Sequence, residues 1–333
     1  MLIRKVSYFD EFRCIAGSCP DSCCKEWSVS VDPESAAYYR SLPGELGDRL
    51  RQVLTEEDGD TIMVIEEGRC PMWRADGLCR IQAELGEDAL CETCREFPRL
   101  RHDYGDFLER TLELSCPEAA RLILSAPYVP MITQETAGGE EPEYDVEAME
   151  VLLRTRETAL AILSDPARPV NERLALLLLY GYQAQGELDG AEPMEFDPEE
   201  ALASVSGFGK LPAPGEIADF FKNLEILTET WQQRLDSPAP GPWQAKFAAL
   251  ARYFVERYWL QAVSDYDLTC RVKFAVIACL LIRQLGGDFV QTAQLFSKEI
   301  ENNPENVEAI LDGAYSLPAF TDDKLLGLLT KNS

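Results

Sequence analysis

Nine of the eleven cysteines fall within the first 116 residues, in three groups. The first is Cys14-x4-Cys19-x3-Cys23-Cys24, closed by Trp27. The second is Cys70-x8-Cys79, in "CPMWRADGLC". The third joins Cys91-x2-Cys94 to Cys116 in "LSCPEAA". Thiolates are soft ligands suited to zinc, copper(I) and iron–sulfur clusters. Closely spaced cysteines let one loop donate several sulfurs, while distant ones tie separate loops to one metal and replace part of a hydrophobic core. The adjacent pair Cys23-Cys24 narrows the chemistry, because neighbouring side chains diverge and rarely ligate one tetrahedral ion. They more readily serve two irons of a cluster, two metals, or one metal and the interior. A zinc ribbon would show two C-x2-C pairs and this chain has one. The bacterial ferredoxin run C-x2-C-x2-C is absent, and the third cysteine follows the second too soon for a radical-SAM C-x3-C-x2-C.

Metal is expected over disulfides. Met1 to Asp10 carries no apolar stretch of signal-peptide length. The runs "LALLLLY" (174–180) and "FAVIACLLI" (274–282) fall well short of the ~20 residues of a membrane helix and read as buried helix faces. The expected location is therefore cytoplasmic, where thiols stay reduced. The charge balance, 31 Lys and Arg against 58 Asp and Glu, gives a net −27. Such a field repels phosphate backbones and anionic lipid, so neither nucleic acid nor membrane is an expected partner, whereas a basic patch on a protein is acceptable.

Few other groups offer chemistry. His102 is the sole histidine; it rules out a His-rich metal site and reads as an exposed loop residue. "CREFPRLRH" (94–102) gathers Arg95, Arg99 and Arg101, which could offset thiolate charge or hold a substrate carboxylate in a bidentate fork. Trp27 and this segment are expected to close over the metal centre, with Arg95 and Arg99 nearest. Glu96 and Tyr104 are candidate proton acceptors by proximity in sequence. No G-x-G-x-x-G follows a strand, and no P-loop or G-x-S-x-G occurs. Cys270 and Cys279 lie nine residues apart on one helix, on opposite faces, and read as inert core residues.

The elements that must position these residues change character along the chain. Residues 1–125 read as an irregular cysteine-rich metal-binding domain with a few short helices, a possible strand in "TIMVIEEG" (61–68) and an Asp-Gly turn in "RADGLC" (74–79). Residues 126–145, rich in Pro, Gly and acids, read as a linker or exposed loop. Residues 146–333 read as an all-α helical domain. Leu152, Leu153, Leu160 and Leu163 share a helical face, and Asn171 is expected to cap a helix ending at Gly186. Asp197-Pro198 signals a helix start. "PGEIADFFKNLEILTETWQQRL" (214–235) reads as one helix. Two long helices, 243–263 and 266–285, and two shorter ones, 287–302 and 305–315, complete a mainly α fold.

"CIAGSCPDSCCKEWSVSVD", "GRCPMWRADGLCRIQAELGEDALCETCREFPR" and "LELSCPEAARLIL", in this order, resemble the flagellin lysine-N-methylase family, within the wider group of CxxCxxCC-type zinc- or iron-chelating proteins. The likeness covers about residues 5 to 125; the rest resembles only a generic helical extension. The resemblance implies Cys14, Cys19, Cys23, Cys24, Cys70, Cys79, Cys94 and Cys116 as metal ligands. It leaves out Cys91, where a small residue such as Ser is expected. It further implies an iron–sulfur cluster, with 4Fe-4S the favoured form and zinc the alternative, and S-adenosylmethionine as methyl donor. The implied partner is a protein with exposed lysines, by resemblance flagellin.

The leading expectation is thus a cytoplasmic, metal-dependent lysine N-methyltransferase. Two readings compete with it: a zinc-stapled, non-catalytic protein-binding module, and an iron-dependent redox enzyme acting on a small molecule. In the methylase reading, Arg95, Arg99 or Arg101 would hold the carboxylate of the donor.

Overall fold

The computed structural model describes residues 1–57, 59–205 and 215–330. In these the strands are β1 (Leu2–Lys5), β2 (Val29–Ser30), β3 (Leu54–Glu57), β4 (Asp60–Met63), β5 (Arg99–Asp103), β6 (Phe107–Leu112) and β7 (Ile132–Glu135). Strands β2, β4 and β3 form one small antiparallel sheet; the other has the order β5-β6-β1-β7. In the latter β1 runs parallel to β6, pairing Leu2 with Phe107, and antiparallel to β7, pairing Leu2 with Glu135. The first 125 residues are therefore more regular than expected. The strands have only two to six residues, and the β1–β6 pairing joins segments about a hundred residues apart, so no local pattern marks it. The expected loop 126–145 contains β7, an edge strand. The expected strand 61–68 is confined to β4, beyond which the chain turns into the Glu66–Arg69 bridge.

Gly105 joins β5 to β6 with φ +89, a left-handed value natural to glycine. The Asp103 carboxylate accepts its N–H at 3.0 Å. That turn places the end of β5 at a cavity described below.

The earlier helices are α1 (Pro33–Ser41), α2 (Gly44–Val53), α3 (Arg80–Leu85), α4 (Glu92–Glu96) and α5 (Pro117–Ser125). The later ones are α6 (Val146–Ser164), α7 (Val170–Leu188), α8 (Pro198–Ser204), α9 (Glu216–Phe221), α10 (Glu229–Asp236), α11 (Lys246–Tyr258), α12 (Thr269–Leu285), α13 (Phe289–Phe296), α14 (Pro304–Ser316) and α15 (Asp322–Thr330). The fold is mainly α, as expected. Asp197 caps α8 through the N–H groups of Glu199 and Glu200. Helix α12 carries the expected apolar run and is buried on nearly every face, with Cys279 wholly enclosed and Cys270 nearly so. Among the described residues no helix is long and apolar enough to cross a membrane.

Three helical expectations are corrected. Asn171 lies inside α7 rather than capping it: Pro169 occupies the cap, and the Asn171 amide donates to Leu329 O at 2.8 Å. The expected helix 214–235, whose first residue lies outside the described ones, is broken between α9 and α10. There Asn306 accepts from Glu225 N at 3.1 Å and Glu299 accepts from Leu227 N at 2.7 Å, replacing helical bonds with tertiary ones. The expected helix 287–302 changes pitch, since α13 passes into a π-turn over Ser297–Glu301. Such turns are rare and concentrate at functional sites.

Composition divides the chain at residue 125, but the hydrophobic cores divide it elsewhere. A small core gathers Val29, Tyr39, Leu50, Met63, Met72 and Ile81, all between residues 29 and 91. The large core unites Val6, Phe12, Phe107 and Leu114 with the helices up to Leu329. β6 is fastened into it by charge: Arg156 of α6 donates to both Glu109 oxygens, at 2.8 and 2.6 Å, with both side chains 1% exposed.

Candidate metal centre

Local structure brings the three cysteine groups together. A turn of 3-10 helix over Ala16–Ser18 lets Cys19 N reach Ala16 O at 2.9 Å, folding the first group back on itself. Cys70 N then donates to Cys24 O at 2.8 Å, joining the first group to the second. Cys79, Cys91 and Cys116 occupy the N-caps of α3, α4 and α5, and Cys94 sits within α4.

The outcome is a cavity of about 370 Å³ lined by Cys14, Cys19, Cys23, Cys24, Cys79, Cys94 and Cys116. Cys70, the eighth expected ligand, is buried and does not line the cavity, its thiol meeting Met63 Sδ at 3.5 Å. Cys91 is also buried and off the wall, its thiol 4.0 Å from Ser30 O. Among the described residues no three His, Cys, Asp or Glu side chains stand close enough to hold one metal ion as placed. The metal-binding character expected of the N-terminal part thus rests on the donors themselves and on the cavity they share.

Protonation explains why these donors suit cations. Hydrogen bonds from Cys23 and then Cys70 hold the Cys24 thiol down to about 3. The same bonds, with burial, push Cys23 and Cys70 well up. Cys94 holds Cys91 down to about 7 and is itself pushed up by that bond and by burial. Burial raises Cys19 and Cys79, and brings Cys116 to about 11. With protons as their only partners the thiols therefore favour a set of shared protons over a set of thiolates. Full deprotonation needs positive charge in the cavity, which bound metal supplies. The donor set fits a thiolate-ligated metal or cluster.

Trp27, Arg95, Phe97 and Arg99 line the same cavity, as expected for a covering layer. Arg99 lies over the Phe12 ring at 5.2 Å. Arg95 is 3.6 Å from Glu96, whose exposed carboxylate does not line the cavity. Arg101 and Tyr104 line a different cavity. His102, expected on an exposed loop, instead lies in β5, where its ring is half-buried and burial and then Arg257 push its pKa down.

Two residues of the centre have no sequence signal of their own. Lys298, in the π-turn, is 2% exposed, 3.0 Å from the Asp21 carboxylate and also bonded to Glu26. Gln294 of α13 donates to Asp21 at 2.9 Å and to Ser115 O at 2.7 Å. Asp21 and Ser115 both line the cysteine cavity, so the C-terminal helices fix its rim.

The sequence is similar to curated proteins from Salmonella. Lysine-N-methylases of Salmonella typhimurium LT2 and Salmonella choleraesuis SC-B67 are each 29% identical over 141 residues, 40% of this chain and 35% of theirs. The flagellar biosynthetic protein FliU of Salmonella muenchen is 30% identical over 132 residues, 38% of this chain and 78% of FliU. The match thus spans about a third of the length of the two methylases. No family model matches the sequence. No solved structure matches it either.

Proposed function

The chain belongs to the family of lysine-N-methylase and the flagellar protein FliU, and from that membership we propose that it transfers methyl groups to lysine side chains of a protein. The observation that carries the reading is the cavity lined by seven cysteines and three arginines, Arg13, Arg95 and Arg99. We take S-adenosylmethionine as the donor and flagellin as the substrate. In the reaction the lysine nitrogen forms a bond to the methyl carbon, the sulfur–methyl bond breaks, and S-adenosylhomocysteine leaves as a neutral thioether. The lysine must first give up a proton.

Cys14, Cys19, Cys23, Cys24, Cys70, Cys79, Cys94 and Cys116 would hold an iron–sulfur cluster. Bound there, the cluster would supply Lewis-acidic and redox-active iron. The chain's own residues supply the rest. Arg95 and Arg99 offer guanidinium groups to the donor's carboxylate. Trp27 and Phe97, with rings 6.3 Å apart, shield the cavity from water. For the proton, Tyr104 is disfavoured because burial raises its pKa above the usual phenol value. Glu96 stands outside the cavity against Arg95. His102, kept neutral by burial, lines a different cavity together with Tyr104.

The test is anaerobic purification with iron and sulfide analysis, followed by incubation with flagellin and labelled S-adenosylmethionine. Label on lysine that disappears with Cys23→Ser is the expected result. Zinc in colourless protein, or iron without donor binding or transfer, would reject it.

A further inference from the structure

A second, larger cavity of about 1060 Å³ opens at the other end of β5. Arg99, at the start of that strand, lines the cysteine cavity, whereas Arg101, His102 and Asp103 line this one. At about 3.3 Å per strand residue the two lie roughly 10 Å apart along β5.

Three tyrosines wall the second cavity. Tyr104 and Tyr144 stand nearly perpendicular, at 83° with ring centres 6.3 Å apart. Phe107 backs Tyr104, stacked at 4.7 Å. The Tyr144 hydroxyl donates to Asp106 at 2.7 Å, and the Tyr266 hydroxyl donates to Asp145 at 2.8 Å, so both rings are braced before any ligand arrives. The same cavity is lined by Asp103, Glu140, Glu141, Glu143 and Asp145, against one guanidinium, Arg101, which is bonded to Asp103 at 2.6 Å, and the Met1 ammonium, which donates to Thr136 O and Gly138 O. His102 adds a buried ring nitrogen, Nε2, without a partner.

Perpendicular aromatic rings edged by carboxylates form a cage for an organic cation, through the ring quadrupoles and the net negative field together. We propose that this cavity is a recognition site for a lysine side chain of the protein substrate, anchoring a lysine-bearing segment beside the cysteine centre. The identity of the partner rests on the methylase reading; the cage itself does not. The volume exceeds what one side chain fills, leaving room for flanking backbone.

The test is fluorescence anisotropy of a labelled Gly-Lys-Gly-Ser repeat peptide, and of its Lys→Gln counterpart, with no methyl donor present. The expected result is binding of the lysine peptide alone, weakened about tenfold by Tyr144→Leu and by the triple change Glu140→Gln, Glu141→Gln, Glu143→Gln. Removing three charges from exposed positions of α14, with Glu305→Gln, Glu308→Gln and Asp312→Asn, should leave affinity unchanged. Cage variants that bind like the unmodified protein would overturn the proposal. So would equal loss in the α14 variant, or displacement of the peptide by S-adenosylmethionine alone. Protein that binds through the cage but never methylates lysine would support this proposal while rejecting the methylase reading.

Discussion

The ammonium of Lys298 lies 5.2 Å from the centre of the Trp27 ring, although 271 positions separate them in the chain. It also meets Asp21 and Glu26, so one buried cation of the π-turn secures both ends of the segment that carries Cys23 and Cys24. Lys298→Met removes the counter-charge from two partly exposed carboxylates and leaves Asp21 with its bond from Gln294. It should lower stability by about 1–3 kcal/mol, less than the loss typical of a fully buried pair. It should also expose residues 14–27 to limited proteolysis. Urea unfolding and a proteolytic digest check both; an unchanged digest would show that the pairing does not hold the segment.

Arg156 and Glu109 form a fully enclosed pair, with Arg4 3.6 Å from the same carboxylate. Glu109→Gln should cost about 3–5 kcal/mol, because it leaves a buried guanidinium without its counter-charge. Replacing both, Glu109→Leu with Arg156→Met, should cost much less than the sum of the single changes. Urea midpoints of the four proteins measure the coupling.

Burial raises Glu256 to about 7, with Arg156 and Arg252 pulling it back. The folded state then holds more protons than the unfolded one between about pH 4.5 and 7, so this group makes stability fall as pH rises through that window. Glu256→Gln should therefore stabilise the protein by about 2–3 kcal/mol at pH 8 and by almost nothing near pH 4.5. Unfolding at the two pH values decides it; an equal effect at both would contradict the shift.

Cysteines at the cavity and in the helical core should part company in metal content. Cys23→Ser and Cys24→Ser should lose most bound metal, while Cys270→Ser and Cys279→Ala should keep it, since both of the latter are buried in α12. Metal analysis of anaerobically purified variants makes the comparison. Metal lost from a Cys270 or Cys279 variant that remains folded would place those thiols in the wrong role.

What could be read from the sequence was whatever a local signal encodes. Asp197-Pro198 marks the start of α8, and the apolar run 274–282 marks the buried α12, because capping and helical burial depend on neighbours in the chain. The cysteine spacing pointed to a shared centre, and seven of the eight thiols expected as ligands do line one cavity. The β1–β6 pairing left no trace, since four residues near one end of the chain meet a partner a hundred positions away. The break between α9 and α10 was hidden for the same reason: its cause is Glu299 and Asn306, on distant elements. Lys298 and Gln294 read as ordinary helix residues until the fold sets them against Asp21. Tyr104, Tyr144 and Tyr266, spread over 162 positions, become neighbours only around the second cavity.

The pairing of β1 and β5 with opposite edges of β6 has a further consequence. Lys5 lies opposite Arg110, and Arg99 opposite Leu112, so the chain leaves and re-enters the sheet at the same end, two strand spacings or about 10 Å apart. The stretch between them, with its own small core, is an excursion from a body that closes without it. It forms a natural unit of partial opening, latched by the Lys298 and Gln294 contacts. Amide hydrogen exchange should accordingly run in two tiers, with residues 29–91 released together while α7, α11 and α12 stay protected.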